Sequence, residues 1–155
     1  MSFHQTMFKS THYIRVLTID RKLILFNMIE KLTAVDEFHE TFNIGKAENK
    51  SRLLSEKESL LRFNLMKEEN DEYLEACQNN DLVEVADALG DQLYILCGTI
   101  LKHGLQNKIE EVFDEIHRSN MSKLDENGKP IFREDGKVLK GKSYFRPNIK
   151  EILDK

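Results

Sequence analysis

The chain has 155 residues, of which 40% are hydrophobic and 32% charged, the size and polarity of one compact domain with an ordinary core. Two prolines and seven glycines leave little room for a disordered linker or a many-turned β-sandwich. A formal net charge of only -4 gives no global field pointing to nucleic acid or an anionic membrane, and no apolar run is long enough to span a bilayer.

Residues 1–27 differ from the rest. They carry Lys9, Arg15, Arg21 and Lys22 against a single acid, Asp20, and "YIRVLTI" alternates like a strand without a partner strand nearby. We expect an N-terminal extension here, poorly ordered or loosely docked, with Met28 as an alternative start, and a single domain over 28–155. The apolar patch "LILFNMI" is too short for a membrane span, and no small-residue cleavage site follows it, so it does not read as a signal peptide.

The spacing of Met28, Leu32, Val35, Phe38 or His39, and Phe42 predicts a first helix over 28–43, with Gly45 as its stop. A second helix is expected over about 52–78. Asp81 can cap a third that reaches about Lys102, with Gly104 ending it. A fourth covers about 107–118 or a little further, through Ile109, Val112, Phe113 and Ile116. Beyond it, "NG" and "DG" bracket "KPIFRE", which predicts a small hairpin or looped tail. The expected fold class is all-α, an antiparallel helical bundle with a short looped or hairpin C-terminal tail. Cys77 and Cys97 lack C-x-x-C spacing, fall in helical patterns, and read as reduced core thiols of a cytoplasmic protein.

On the second helix Leu54, Leu61 and Leu65 share a face that continues into Glu69, Glu72 and Ala76, with Glu68 beside them. On the third, Glu84, Asp87 and Asp91 stand three and four residues apart in a row, on a helix whose remaining circumference is mostly taken by Leu82, Val85, Ala86, Leu89, Leu93, Leu96, Cys97 and Ile100. The short "NND" turn makes the two helices antiparallel neighbours, so the acidic rows can face one another. Like charges at helical spacing repel, and burial makes each ion costly unless a cation compensates. Carboxylates are hard oxygen ligands suited to Mg²⁺ or Mn²⁺, and Mg²⁺ commonly shares itself with substrate phosphates. An acid-rich helix can also be a solvated face; the third helix fits that reading less well, because its acids interrupt a nearly continuous apolar surface. Further on, His117, Arg118, Asn120, Lys123, Lys129, Arg133, Lys137, Lys140, Lys142 and Arg146 form a basic arm of the kind that neutralises a leaving pyrophosphate, or else a solvated, flexible tail or one that contacts nucleic acid.

"EENDE" followed by "EVADALGD" resembles the E-x-x-E … E-x-x-D signature of the all-α nucleoside triphosphate pyrophosphohydrolase superfamily, which includes MazG-like enzymes. "HRSNMSK", "DQLYILCGTILKHGL" and "NGKPIFREDGKVLKGKSYFRP" resemble more narrowly its phosphoribosyl-ATP pyrophosphohydrolase-like branch. The likeness implies an all-α NTP pyrophosphatase fold, a metal site of Glu69, Glu72, Glu84 and Asp87 for Mg²⁺ (Mn²⁺ possible in its place), and catalytic roles for Glu68 and Glu69 in activating water. It implies substrate contacts from Asp91, Asn120, Lys123, Lys137 and Lys140, cleavage of the α–β phosphate bond to a nucleoside monophosphate and pyrophosphate, and a homodimer or homotetramer. The substrate would be a nucleoside triphosphate or phosphoribosyl-ATP, with neither nucleic acid nor membrane as a partner. The alternative is a non-catalytic helical oligomer that binds nucleotide or protein. A di-iron bundle would want Glu-x-x-His pairs; Asp36-x-x-His39 and Asp114-x-x-His117 offer only the shorter acid, and each His reads as a helix-surface residue. "DENGK" lacks the alternation and closing Glu of a calcium loop.

Overall fold

A computed structural model describes residues 28–47 and 50–155. The N-terminal extension and the boundary expected at residue 28 lie outside or at the edge of these residues. The described chain is all-α, with helices α1 (28–41), α2 (Glu56–Gln78), α3 (Leu82–His103), α4 (Ile109–Met121) and α5 (Ile149–Asp154). Its β structure, among the described residues, is one isolated antiparallel bridge between Phe132 and Val138. No described helix is long and apolar enough to cross a membrane. The residues fall into two compact units, one holding α1, α2 and α3, the other α4, α5 and the loops between them.

In the first unit, α2 begins later than its periodicity suggests, because Ser55 and Glu58 form a reciprocal capping box. Ser55 Oγ accepts from the Glu58 N–H at 3.3 Å, and Glu58 Oε2 accepts from the Ser55 N–H at 3.2 Å. The Ser55 hydroxyl, which donates to Glu58 Oε2 at 2.8 Å, and then the Ser55 N–H, the Lys102 ammonium and Arg52 hold the Glu58 carboxyl down at about 2. Asn79 and Asn80 then turn the chain, Asn80 at a left-handed φ of 55°. Asp81 opens α3 by accepting from the N–H groups of Val83 and Glu84 at 3.0 and 3.2 Å, and Gly104, at φ 69°, closes it. Arg62 reaches from α2 to the Thr99 hydroxyl at 2.9 Å and the Ile95 carbonyl at 2.6 Å, and Gln92 reaches back to the Glu69 carbonyl at 3.2 Å. Higher numbers on one helix thus meet lower numbers on the other, so the pair is antiparallel.

Helix α1 packs on α3 through the Phe38–Tyr94 edge contact, His39 beside Gly98, and the Lys102 ammonium on the Ile44 carbonyl. Its buried line is Leu32, Val35 and His39, whereas Phe42 is 63% exposed. His39 is therefore not the surface residue expected from the sequence. It is only 3% exposed, because Gly98 leaves room for its ring: a Cβ there would stand 2.9 Å from both His39 Nε2 and Arg62 Nη2. Cys97 is buried and its thiol is pushed up by that burial, but Cys77, expected in the core, is exposed on the last turn of α2. Both are free thiols. The leucines of α3 also depart from expectation, with Leu82, Leu89, Leu93 and Leu96 exposed in this chain.

In the second unit, α4 runs to Met121, a little past Arg118 as expected. Ser119, buried, donates to the Phe145 carbonyl at 2.8 Å, and Ser122 Oγ accepts from the Phe145 N–H at 3.2 Å. These two serines fasten the tail to the helix. Gly141 crosses so close to Leu124 that a Cβ would lie 2.1 Å from its carbonyl oxygen. The tail carries the expected small hairpin, closed by the Gly136 N–H on the Arg133 carbonyl and by the Leu139 N–H on the Ile131 carbonyl at 2.7 Å. The short helix α5 was not legible beforehand.

Candidate functional site

The candidate site lies on one side of the α2–α3 pair. Glu69 is its half-buried member, and its carboxyl is held above the usual range, first by burial and then by the charges of Glu72, Asp91, Glu68 and Asp87. Those four residues are exposed. The structure thus brings two acids from α3 and three from α2 into one electrostatic neighbourhood. Glu84, on the first turn of α3, is exposed and is not among the charges acting on Glu69.

Glu69 Oε2 is buried with no hydrogen-bond partner. An unpaired carboxylate oxygen among like charges is an unfavourable arrangement that a divalent cation would relieve. The donor set is entirely carboxylate, which fits Mg²⁺ or Mn²⁺ and does not fit zinc. The side chains are not drawn together around a point: among the described residues no three His, Cys, Asp or Glu side chains are grouped closely enough to hold an ion. The site fits such an ion in its chemistry, with its acids spread towards solvent.

Asn120 lies in the last turn of α4 and Lys123 just past it, both in the second unit. The Lys123 carbonyl accepts from the Gly141 N–H at 2.9 Å, which sets the start of the tail. Lys137 follows the hairpin turn, and the Lys140 ammonium lies 4.4 Å from the centre of the Tyr144 ring.

Two features of the site's support escaped the sequence reading. Gln92 directly follows Asp91, and its amide ties α3 to the Glu69 backbone. Arg62 lies in the run "LLRFNL", and burial pushes its guanidinium below its ordinary value while Thr99 and Ile95 hold it. A lone Arg amid leucines and a mid-helix Gly98 were the available signals.

The phosphoribosyl-ATP pyrophosphohydrolase family model matches residues 35–120. That span includes every acid of the site and Asn120, and stops before Lys123 and the tail lysines. The chain is 30% identical over 141 residues to an uncharacterized protein of Acanthamoeba polyphaga mimivirus, a match covering 84% of this chain and 51% of the relative. The chain thus spans about half the length of the curated relative it matches. Among solved structures it is similar to a candidate NTP pyrophosphohydrolase from Exiguobacterium sp. 255-15, at 24% identity and a TM-score of 0.44, over 80% of this chain and 94% of the other.

Proposed function

The chain belongs to the phosphoribosyl-ATP pyrophosphohydrolase family, and on that premise we propose that it is a Mg²⁺-dependent nucleoside triphosphate pyrophosphohydrolase. It cleaves the α–β phosphate bond of a nucleoside triphosphate, or of phosphoribosyl-ATP, to a nucleoside monophosphate and pyrophosphate, and works as a homodimer or homotetramer. The observation that carries this reading is the half-buried Glu69, with an orphaned oxygen and four more carboxylates around it.

Glu69, Glu72, Glu84 and Asp87 would hold the metal. When bound, the ion supplies neutralisation of the triphosphate and acidification of water. Glu68 and Glu69 take up the proton of the attacking water as its oxygen bonds to the α-phosphorus and the α–β bridging bond breaks. Asp91 and Asn120 orient the nucleotide. Lys123, Lys137 and Lys140 offset the charge on departing pyrophosphate.

The test is incubation of the pure protein and Mg²⁺ with canonical and modified nucleoside triphosphates and phosphoribosyl-ATP, with pyrophosphate and monophosphate measured. Release from one substrate class supports the reading. No release from any of them would favour the non-catalytic binding oligomer instead.

A further inference from the structure

Helix α1 carries a buried titratable ring that the proposed reaction does not use. Its inward line is Leu32, Val35 and His39, which are 5%, 2% and 3% exposed, and Phe38 meets Tyr94 of α3 edge-on with 5.6 Å between ring centres. The contacts advance together along the two helices, Phe38 with Tyr94, His39 with Gly98, then Ile44 with Lys102, so α1 runs parallel to α3. Tyr94 lies three residues past Asp91, which places this contact beside the acidic row.

The side-chain bonds of α1 stay local. Thr33 and Thr41 donate to the Ile29 and Glu37 carbonyls of their own helix, and Asp36 and Glu40 pair with Lys46 just beyond it. Among the described residues, no α1 side chain forms a hydrogen bond or ion pair with α2 or α3. The polar ties to α3 come after the helix. Asn43 and Gly45, at φ 55° and 74°, turn the chain, the Ile44 carbonyl accepts from Lys102 Nζ at 3.2 Å, and the Ala47 N–H donates to the Leu101 carbonyl at 3.1 Å. Helix α1 thus extends from an anchored turn and is held against α3 by apolar contact and the seating of His39. A helix this short is marginal in water without packing.

His39 is the polar member of that contact, and its Nδ1 is buried with no hydrogen-bond partner. A methyl at Gly98 would stand 2.9 Å from both His39 Nε2 and Arg62 Nη2, so ring and guanidinium are near neighbours. The guanidinium is fixed, held by Thr99 Oγ1 at 2.9 Å and the Ile95 carbonyl at 2.6 Å. Burial opposes a charge on the ring most, followed by Arg62 from α2; the Gly45 backbone favours the charge, Lys102 from α3 opposes it, and Asp36 on α1 favours it least. Asp36 gives one oxygen to Lys46 at 2.5 Å and has Oδ1 buried without a partner, while Lys102 is paired with Glu58 at 3.3 Å. Among the charges acting on the ring, none from α2 or α3 is an acid.

We propose that His39 is a pH-sensitive latch: neutral, it seats α1 on α3; protonated, it releases α1 outward about the 43–45 turn and leaves the α2–α3 pair in place. The proton puts an imidazolium beside a fixed guanidinium inside a buried contact, which is costly for both ions. Release returns the ring to water, where it takes the proton at its ordinary 6.5, so acid favours the released state. The bonds that join α2 to α3, from Arg62 and from Gln92, do not involve α1 and persist. The latch goes beyond the proposed reaction and does not depend on it.

Hydrogen–deuterium exchange of the full-length protein, read by mass spectrometry at about pH 7.5 and about pH 5 and corrected for the intrinsic rate, tests the latch. Opening of 28–41 should rise at least about threefold at the lower pH, while protection over Glu56–Gln78 and Leu82–His103 does not fall. His39→Gln should lose the response. His103→Gln, which removes a ring bonded to the Arg52 carbonyl, should keep it. If circular dichroism shows that His39→Gln does not fold, an NMR titration of the wild type reads the same step, with the His39 ring and the α1 amides changing together. Equal α1 protection at both pH values, or α1 and the α2–α3 pair losing protection together, overturns the latch. A response that survives in folded His39→Gln, or α1 amides that change apart from the ring, overturns the assignment to His39. Pyrophosphate release is not read, so failure of the proposed reaction and failure of the latch are separate results.

Discussion

Gln92 donates its amide N–H to the main-chain carbonyl of Glu69 at 3.2 Å. Asp91 is its chain neighbour and Asp87 one turn earlier, so this bond sets the register in which the acids of α3 stand against Glu69. Sliding either helix by one turn would break it and separate the two carboxylate sets.

Glu72→Gln and Asp87→Asn should each lower pyrophosphate release by about 100-fold or more, since even residues that only support metal ligands cost 10–100-fold. Both side chains are exposed, so circular dichroism and thermal melting should match the wild type. Unchanged turnover in either variant would remove that residue from the metal set.

Glu69→Gln should raise the thermal midpoint of metal-free protein by a few degrees, because it removes a half-buried charge that burial and four neighbouring carboxylates oppose. Added Mg²⁺ should stabilise the wild type and have a smaller effect on the variant. Scanning calorimetry with and without the ion checks both halves; a destabilised variant would mean that Glu69 is held by something other than repulsion.

His39 is held below the ordinary imidazole value of 6.5, chiefly by burial and then by Arg62. The unfolded chain therefore takes up its proton first as pH falls. The contribution of neutral His39 is fully present above pH 6.5 and is lost as pH drops from there towards its folded value. Urea unfolding across that interval should show stability declining in the wild type and a flatter profile in His39→Gln. Glu58 supplies a separate, more acidic window: its folded value of about 2 lies below the ordinary 4.5, so its contribution fades between those two limits.

Gly98→Ala should destabilise the chain by about 1–3 kcal/mol. The added methyl meets the His39 ring and an Arg62 guanidinium already fixed to Thr99 and Ile95. Gly90→Ala, whose Cβ meets nothing within the chain, is the comparison: with a helical backbone and open space it should leave stability unchanged or raise it. Denaturant titration of both variants beside the wild type checks the contrast.

Much of the helical order could be read from local chemistry. Asp81 and Gly104 bound α3 because a carboxylate can accept the first free N–H groups and a glycine can take the left-handed turn at the end. The acidic rows were visible as spacing, and the short turn between them implied that they could meet. The start of α2 was misplaced because the Ser55–Glu58 pair outranks the hydrophobic stripe in fixing a helix end. His39 falls on the stripe of Leu32 and Val35 but was read as a surface residue, because the room for its ring comes from the absence of a side chain at Gly98, 59 residues away. The leucines of α3 announced a buried helix, yet in the single chain they face outward; the spacing of apolar positions marks a helix face and does not report what lies against it.

Asn79 and Asn80, the turn between α2 and Asp81, give the carboxylate pair an unusual economy of assembly. The Asp81 N–H already bonds the Ala76 carbonyl, and later pairings grow outward from that point without any long loop to close. Short closures are entropically mild and favour rapid folding. This segment can therefore acquire its shape ahead of pairings between distant parts of the chain, which makes the facing acidic rows an early product of folding.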